Sequence, residues 1–459
     1  MNCSETGKTI PRMNVLIVMH GAGSGGVEKS LRTLCRYCSK EKFRLIVALP
    51  SEGPLKRYLD ELNIKIVITS IDTWTPIPFH FGERHYFQFL SNLEERISAL
   101  VEIINKENID IVHSSTLSVA DGAFAAKIAG VPHLWHIHGK SVGTTNAYGS
   151  YLPIETLYAL VENLSTEIIA VSNDARNFLK KYLPWQDVRV IYNGIDIEET
   201  DRLSAGPSLI RDEFKLHKKK LVSLVGRIAE VKGIEDYVEA ASRVLKDRDD
   251  VAFLVIGSDE DKELTTKIQS RIEALSLSDR IIFTGRRNDV PEILHQTDVF
   301  VCSSKTEGFP YSVLEAMAAQ KPVVTTRCGG PEEIVVDGTT GFHVGVRRSA
   351  EMALALLRLL DDDQLARKMG LKGRELVEQK FSAEMFAKCF EETYMRILDK
   401  KRQETPNPWT EVLLELTSTV GNLGTRTRHL ENEVRDLRSF EGLFKNNFVY
   451  RGLRNLLRR

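Results

Sequence analysis

The sequence predicts an α/β protein with two successive doubly wound, Rossmann-like domains that face a central cleft, followed by a C-terminal helical extension. Three observations lead to this prediction. Short apolar segments alternate with longer amphipathic ones, the alternation restarts after a polar stretch at 200–218, and two prolines break it after residue 400. Strand–helix–strand repetition at this spacing is typical of parallel sheets covered by helices.

The first predicted domain spans residues 13–200. Seven apolar segments have the length and composition of buried parallel strands, and helical patterns such as "VEKSLRTLCRYCSK" and "DGAFAAKIAG" lie between most of them. The predicted strands are 14–19, 43–50, 64–69, 110–115, 133–139, 167–172 and 188–194.

The second predicted domain spans residues 218–385 and repeats the pattern. Its predicted strands are 221–227, 251–257, 280–285, 299–304, 321–326 and 340–345. A closing helix follows over 381–399, with 386–399 lying beyond the second domain. Because ligands of open α/β sheets bind beyond the carboxyl ends of the strands, the site is expected there.

The C-terminal extension covers residues 410–459. Apolar residues at a 3,4 spacing over 413–437 indicate a short coiled coil, with a homo-oligomer as partner, or a helix docked on the body. The segment 444–459 is basic and apolar without an acid. It either lies on an anionic membrane surface or remains a solvated tail, and the residues favour neither interpretation.

The bulk properties exclude several classes of protein. The 459 residues carry a net charge of −1, so no nucleic-acid partner is expected. Six cysteines make no disulfide framework, and the C-x-x-C of Cys35 and Cys38 lies in a helical segment, where packing is favoured over zinc or redox chemistry. No secretory signal or membrane span is evident, which predicts a cytoplasmic protein, at most peripheral at the inner face of a membrane.

The stretch "HGAGSGGVEKS" spells G-x-G-x-x-G at Gly21, Gly23 and Gly26, the pattern of dinucleotide-binding proteins. That pattern needs an acidic residue at the end of the second strand to bind the ribose, and the strand 43–50 ends without one. An NAD-dependent oxidoreductase is therefore a rival hypothesis that leaves the second half unexplained. The glycines are instead expected to form one wall of the cleft.

The most informative segment is "SSKTEGFPYSVLEAMA". A strand ends near Ser303, a loop follows, and Pro310 suits the first position of a helix whose N–H groups favour an anion. A carboxylate can accept two hydrogen bonds from a vicinal diol such as a ribose. Two solvated glutamates beside a helix start are the alternative. The candidate residues are Glu307, Gly308, Phe309, Pro310, Tyr311 and Glu315.

A second candidate group lies in "LVSLVGRIAEVKGIEDYVEA". Arg227 and Lys232 follow a predicted strand end at Gly226 and precede a helix that begins after Gly233. Two cations at the carboxyl end of a strand, before a helix N-terminus, suit a diphosphate. Most arginines and lysines are solvated at the surface, and the position between strand and helix is what favours a binding role here.

These motifs resemble glycosyltransferase family 4, whose members are retaining nucleotide-sugar enzymes of GT-B fold. "GRIAEVKG", "EGFPYSVLEAMA" and "GGPEEIVVDGTTGF" are similar to the family, and Glu307 with Glu315 matches its Glu-x7-Glu signature. "VSNDARNFL" and "VIYNGID" resemble the end of its first domain. The resemblance covers residues 13 to 395. One departure is "CSS" at 302–304, where the family often has a proline.

The resemblance implies roles for individual residues. Arg227 and Lys232 would bind the donor diphosphate, and Glu315 the ribose hydroxyls. Glu307 and the backbone of 308–311 would hold the transferred sugar and the phosphates. His138 matches the family histidine that meets the donor sugar from the first domain, which would be the acceptor domain. His136, on the same strand face, is the alternative, and a buried core histidine is the other interpretation of each.

The implied reaction is retaining transfer of a hexose to a glycan or lipid-linked acceptor in cell-surface polysaccharide or glycolipid synthesis. The predicted catalytic residues are Glu307, His138 and Lys232. Since no carboxylate is available as a nucleophile, same-face attack is favoured, with the leaving diphosphate accepting the proton of the acceptor. Gly25 and Gly26 would let the backbone approach the donor phosphates or the acceptor.

No cofactor or metal is expected. The D-x-D pairs Asp247/Asp249 and Asp259/Asp261 lie in polar segments and are interpreted as solvated charge. Three alternatives remain open beside the oxidoreductase: an epimerase, a phosphorylase, and a GT-B-shaped scaffold without turnover. The intact set of Arg227, Lys232, Glu307 and Glu315 argues against the scaffold.

Overall fold

The computed structural model describes residues 12–74, 92–140, 154–204, 206 and 209–401. The chain divides into two units. Unit 1 comprises residues up to Ala170, Arg176–Arg189 and the chain from Cys389 onward, and unit 2 comprises Val171–Ala175 and Val190–Lys388. The predicted segments 413–437 and 444–459 lie outside the described residues.

Unit 1 is built on a seven-stranded sheet with the order β3-β2-β1-β4-β5-β6-β7. Its strands are β1 Met13–Val18, β2 Phe43–Leu49, β3 Lys65–Ile68, β4 Ile111–Ser114, β5 His133–Ile137, β6 Glu167–Ala170 and β7 Val188–Val190. The pairs from β3 to β6 are parallel, and in the centre Val15 lies opposite both Leu45 and Ile111. The strands are short and almost wholly apolar because helices cover both faces of such a sheet.

The helices of this half connect the strands in order. They are α1 Gly26–Tyr37, α2 Pro54–Glu61, α3 Leu93–Lys106, α4 Asp121–Ala129, α5 Ile154–Leu164 and α6 Asn173–Leu179. Cys35 in α1 and Cys38 at its end are both buried. Burial raises the pKa of both thiols, and that of Cys38 reaches about 12. Such thiols are poor nucleophiles, which supports their assignment to packing.

Unit 2 contains a six-stranded sheet with the order β10-β9-β8-β11-β12-β13, the order in which the first six strands of unit 1 are arranged. Its strands are β8 Lys220–Val225, β9 Val251–Ile256, β10 Ile281–Gly285, β11 Val299–Cys302, β12 Val323–Thr326 and β13 Gly341–Val344. All pairs in this sheet are parallel. The thirteen predicted strands are thus confirmed, the seventh shortened to three residues.

The helices of the second half begin just before unit 2's sheet. They are α7 Ile197–Ser204, α8 Ile210–Glu213, α9 Ile234–Asp247, α10 Lys262–Ala274, α11 Val290–Gln296, α12 Tyr311–Ala318, α13 Pro331–Ile334, α14 Ser349–Asp361, α15 Asp363–Lys380 and α16 Ala383–Lys401. None of the helices described here is long and apolar enough to cross a membrane. In each sheet the strand order reverses beside its first strand, and ligands of such folds bind beyond the carboxyl ends at that point.

The closing helix α16 runs two residues later at both ends than the predicted helix 381–399. From Cys389 onward it belongs to unit 1. There the ring of Tyr394 packs on Phe43 at 5.5 Å, and its hydroxyl lies 2.8 Å from Nδ1 of His113. Arg396 forms an ion pair of 2.8 Å with the buried Glu167 of β6. The end of the described chain is therefore part of the core of the first sheet.

Candidate functional site

The turn after β8 is fixed against the end of β11. Glu230–Lys232 form one turn of 3-10 helix, and Gly233 follows with φ +61°. A Cβ atom on Gly233 would lie 2.1 Å from the carbonyl oxygen of Ser303, so only glycine fits this left-handed position. The Ser303 hydroxyl donates to the carbonyl of Lys232 at 2.7 Å. The two loops that carry the candidate residues are thus joined by their backbones.

Lys232 and Glu307 form the centre of this arrangement. The Lys232 ammonium lies 2.5 Å from Oε1 of Glu307, and the Ser304 hydroxyl donates to the same oxygen at 2.7 Å. The two side chains are only 21% and 14% exposed. Burial by itself lowers the pKa of Lys232, but the Glu307 carboxylate outweighs it, so that the pKa is raised. The ammonium therefore keeps its charge, and an anionic ligand must compete with Glu307 for it.

Arg227 lies nearer to solvent than Lys232. Its guanidinium pairs with Glu260 at 3.1 Å, with side-chain exposures of 38% and 53%. Its charge acts on Lys232 and opposes protonation of the ammonium, which places both cations in one region at the carboxyl end of β8. Exposed ion pairs contribute at most about 1 kcal/mol, so Arg227 can exchange Glu260 for a phosphate at little cost.

The loop before α12 begins at Glu307, and Pro310 is the N-cap of α12, with an extended ψ of 125°. The prediction of Pro310 at the first helical position is therefore wrong by one residue, because its fixed φ fits both positions and only ψ separates them. Tyr311 is the first helical residue, and Glu315 lies partly buried in the second turn. The N-terminus of α12 thus presents its positive end beside Lys232's loop.

Phe309 and Tyr311 contribute their side chains to the core. Both are buried, and the Phe309 ring lies 4.9 Å from Tyr192 and 5.3 Å from Phe381. The Asn193 amide donates to the Phe309 carbonyl at 2.8 Å. The side chains of Phe309 and Tyr311 are therefore part of the core, and a role of 308–311 in binding would have to rest on the backbone.

Glu333 is a functional candidate that the sequence reasoning missed. Its carboxylate accepts hydrogen bonds from the backbone N–H groups of Asn173 and Asp174, from the Asn173 amide and from the Tyr192 hydroxyl, at 2.8–2.9 Å. The only sequence signal was its place in "GGPEEIV". Glu333 holds the short segment Val171–Ala175 against the loop that follows β12.

Gly330, in the same loop, contacts the backbone of Gly308. A Cβ atom there would lie 1.7 Å from the Gly308 carbonyl oxygen, so Gly330→Ala must displace the loop that follows Glu307. We expect a lower melting temperature and at least tenfold weaker nucleotide binding, measured by differential scanning fluorimetry and titration. Gly373→Ala in α15 is the control, since its Cβ would make ordinary contacts at 3.5 Å. Wild-type binding in Gly330→Ala would show that the loop tolerates the shift.

In unit 1, His136 and His138 lie at the end of β5 with ring centroids 4.0 Å apart. His136 is 1% exposed and packs against Phe390 at 5.0 Å, as a core histidine does. His138 follows the last residue of β5 and is partly exposed. Burial lowers the pKa of both rings, that of His138 to about 3, so both are neutral. Of the two, His138 is the less buried.

The glycine-rich loop encloses a carboxylate. α1 begins at Gly26 with Gly25 as its N-cap, and Glu28 in the first turn is only 6% exposed. A Cβ on Gly25 would lie 2.9 Å from Oε2 of Glu28, and His20 Nε2 lies 3.9 Å from Oε1. Gly25 makes room for this side chain, whereas a Cβ on Gly21 or Gly23 would lie 3.6–3.7 Å from it, an ordinary contact distance. Because the carboxylate counters the positive end of α1, the geometry favours approach of an acceptor over approach of a phosphate.

The D-x-D carboxylates of the second pair have structural partners. Asp261 is the N-cap of α10 and accepts from the N–H of Leu264 at 3.0 Å. Asp259 accepts from the Thr265 hydroxyl at 2.6 Å. Asp259 and Asp261 thus both bind residues of the first turn of α10, and aspartate is favoured at the start of a helix.

Comparison with known proteins bears on both units. The family model described as Glycosyltransferase Family 4 matches residues 24–199, and the one described as Glycosyl transferases group 1 matches residues 208–376. The chain belongs to glycosyltransferase family 4. The first matched range includes Gly25, Gly26 and His138, and the second includes Lys232, Glu307 and Glu315.

Characterised relatives of the glycosyltransferase are enzymes of this class. The N-acetyl-alpha-D-glucosaminyl L-malate synthase of Bacillus anthracis is 28% identical over 66% of this chain and 78% of its own. The UDP-Gal:alpha-D-GlcNAc-diphosphoundecaprenol alpha-1,3-galactosyltransferase of Escherichia coli is 27% identical over 71% of this chain and 82% of its own. These relatives confirm the predicted class of reaction, glycosyl transfer.

Solved structures confirm the fold of the glycosyltransferase. HepE of Anabaena, crystallised with UDP, covers 84% of this chain and 100% of its own with a TM-score of 0.69 at 22% identity. TarM of S. aureus has a TM-score of 0.64 at 15% identity over 84% of this chain and 99% of its own. The predicted GT-B fold is thereby confirmed.

Proposed function

We propose that this glycosyltransferase is a retaining, metal-independent hexosyltransferase that uses a nucleotide-diphosphate sugar and a glycan or lipid-linked acceptor, in the synthesis of a cell-surface polysaccharide or glycolipid. The observation that carries the proposal is the Lys232–Glu307 pair, 2.5 Å apart beside the N-terminus of α12. Names among the relatives support the substrate classes: the E. coli enzyme uses UDP-Gal and an undecaprenol-linked acceptor.

The proposed reaction breaks the bond between the anomeric carbon and the diphosphate and forms a bond to an acceptor oxygen on the same face. The acceptor's proton passes to the leaving diphosphate. Lys232, Arg227 and the N-terminal N–H groups of α12 would stabilise the developing negative charge. Glu307 would release Lys232 to the phosphate and accept hydrogen bonds from hydroxyls of the sugar. Glu315 would bind the ribose.

His138 is proposed to bind the donor sugar from unit 1. Its ring is neutral, since burial lowers its pKa to about 3, and it can therefore act as a hydrogen-bond partner without adding charge. We also propose, on the sequence pattern alone, that the segment 413–437 is an oligomer contact and that the segment 444–459 is a membrane contact at the inner face.

Nucleotide binding is the direct test of the donor class. UDP, GDP and ADP are each added to the purified enzyme, and the one that binds the folded state must raise its melting temperature. We expect one nucleotide, UDP first, to do so, and Glu315→Gln to remove most of the shift. Glu273→Gln, an exposed glutamate of α10, is the matched control. If no nucleotide raises the melting temperature of the wild type, the proposed donor is wrong.

Metal independence is tested by chelation. Lys232, Arg227 and the N-terminal N–H groups of α12 would together supply the positive charge that a metal ion would otherwise provide at the diphosphate. Turnover is therefore expected to be unchanged by excess EDTA. The measurement is product formation with and without chelator, followed by addition of Mg²⁺ and Mn²⁺. Loss of turnover that either ion restores would contradict the proposal.

A further inference from the structure

Trp185 is the most exposed of the large hydrophobic side chains in the described part of the chain, at 89%. It lies in the loop between α6 and β7, next to the exposed Pro184. The loop itself is firmly packed: Leu183 is fully buried, and Tyr182 stacks on Tyr158 with ring centroids 4.9 Å apart. A firmly packed loop thus presents an indole to solvent.

Basic residues lie close to this indole in the sequence. The segment 176–189 holds four basic residues and one acidic residue, Asp187. Lys180 and Lys181 are exposed immediately before the tip.

A further lysine comes from α4. The ammonium of Lys127 contacts the carbonyl of Asn163 at 3.4 Å, and the amide of Gln186 contacts the carbonyl of Glu162 at 3.4 Å. Lys127 and the Trp185 loop therefore lie at the same end of α5. We define the Trp185 patch as Lys127, Lys180, Lys181, Pro184 and Trp185.

We propose that the Trp185 patch docks unit 1 on the surface of an anionic lipid bilayer, with the indole at headgroup level and the lysines near lipid phosphates. Tryptophan is favoured at that level because its ring is apolar with one polar N–H, and clustered lysines are attracted by anionic lipids. The apolar area is two side chains, far below the roughly 800 Å² that each partner of a stable protein interface buries. A bilayer therefore fits the patch better than a protein partner.

The inference goes beyond the proposed reaction and does not depend on it, because it needs neither donor nor acceptor. It is also separate from the proposed contact through 444–459. Stable peripheral anchoring generally takes two weak signals. A folded aromatic-basic patch and a basic tail would together supply them, and the patch would also fix which side of unit 1 faces the bilayer.

Tryptophan emission of the full-length enzyme tests the proposal. Vesicles of phosphatidylcholine with an equal part of phosphatidylglycerol are the probe, and vesicles of phosphatidylcholine alone are the comparison. Trp74 and Trp135 are buried, so a blue shift on binding must come from Trp185 or from Trp409, which lies outside the described residues. We expect the shift in the wild type and in Trp409→Phe, only with anionic vesicles, and its absence in Trp185→Phe.

Cosedimentation measures the contribution of the lysines. Removing one lysine near a bilayer weakens partition about fivefold, so the double variant Lys180→Gln/Lys181→Gln is expected to lose at least that factor. Leu354→Ala, at a 69% exposed site of unit 2, should partition as the wild type does. The exposed positions leave folding unchanged, which melting temperatures verify. Persistence of the shift in Trp185→Phe, or unchanged partition of the lysine variant, would overturn the proposal.

Deletion of 444–459 separates the patch from the tail. A residual blue shift of Trp185 in the truncated enzyme with anionic vesicles supports a contact of the patch itself. Complete loss of the shift on truncation would show that Trp185 does not reach the bilayer by its own affinity, which would also overturn the proposal.

Discussion

Replacing Lys232 by alanine is expected to lower kcat by a factor of about 100 to 1,000, the usual effect of removing one preorganised group that stabilises a developing negative charge. The Lys232 side chain is less exposed than that of Arg227, at 21% against 38%, and its ammonium keeps its charge through Glu307, 2.5 Å away. Lys305→Ala is the matched control. That lysine lies in the same loop as Glu307 but pairs with Glu230 at 3.0 Å, so its loss should change kcat by less than about twofold.

The result must be separated from a loss of structure. Without Lys232, the Glu307 carboxylate keeps the hydrogen bond from the Ser304 hydroxyl but loses its cation, which costs stability. The melting temperature of Lys232→Ala should therefore fall, and Lys232→Ala/Glu307→Gln should recover part of it without recovering turnover. An effect confined to KM would place Lys232 in ground-state binding, and unchanged kcat in a folded variant would refute its catalytic role.

Unit 1 is expected to lose stability steeply below pH 6.5. Burial lowers the pKa of His113, His133 and His138 to about 3 and that of His136 well below its usual value. Above pH 6.5 these rings are neutral in both states. Below it the unfolded chain binds protons that the folded chain excludes, at up to about 1.4 kcal/mol per pH unit for each ring. The loss continues until the pH approaches 3.

Urea unfolding at pH 7.5, 6.5 and 5.5 measures this effect. Between pH 6.5 and 5.5, the four rings together should lower the free energy of unfolding by several kcal/mol. His138 should contribute least because it is partly exposed. His113→Asn should lower stability at pH 7.5, through loss of its Tyr394 contact, but flatten the pH dependence. Leu354→Ala, at a 69% exposed site of unit 2, should leave the slope unchanged. A flat profile in the wild type would contradict the buried neutral rings.

Much of the fold could be predicted because its strands and helices follow from local patterns of apolar and polar residues. Each buried parallel strand is a short apolar segment bounded by polar residues, so all thirteen were located, while the strand order follows from pairings between distant segments and was not predicted. The same holds for α16: its length followed from periodicity, but its passage into unit 1 depends on contacts of Tyr394 with Phe43 and His113, far away in sequence.

The candidate site shows the same limit. Loop positions after strands indicated Arg227, Lys232, Glu307 and Glu315, yet the contact between Lys232 and Glu307 joins residues 75 positions apart. The glycine pattern indicated a tight turn but not the Glu28 carboxylate for which Gly25 leaves room.

Two further residues had no signal that could be interpreted in advance. Glu333 is one of two adjacent glutamates in "GGPEEIVVDGTTGF", a stretch that was singled out only because it resembles the family. The exposure of Trp185 could not be inferred, because composition does not tell a buried indole from an exposed one.

The course of α16 has a consequence for biosynthesis. During translation, the strands of unit 1 leave the ribosome early, but Phe390 and Tyr394, which pack against His136, His113 and Phe43, are synthesised only after all of unit 2. The face of the amino-terminal sheet that carries these residues therefore stays uncovered by α16 while unit 2 is synthesised. Nascent chains that stop before residue 390 would expose that face, and such chains are the ones on which chaperones and proteases act.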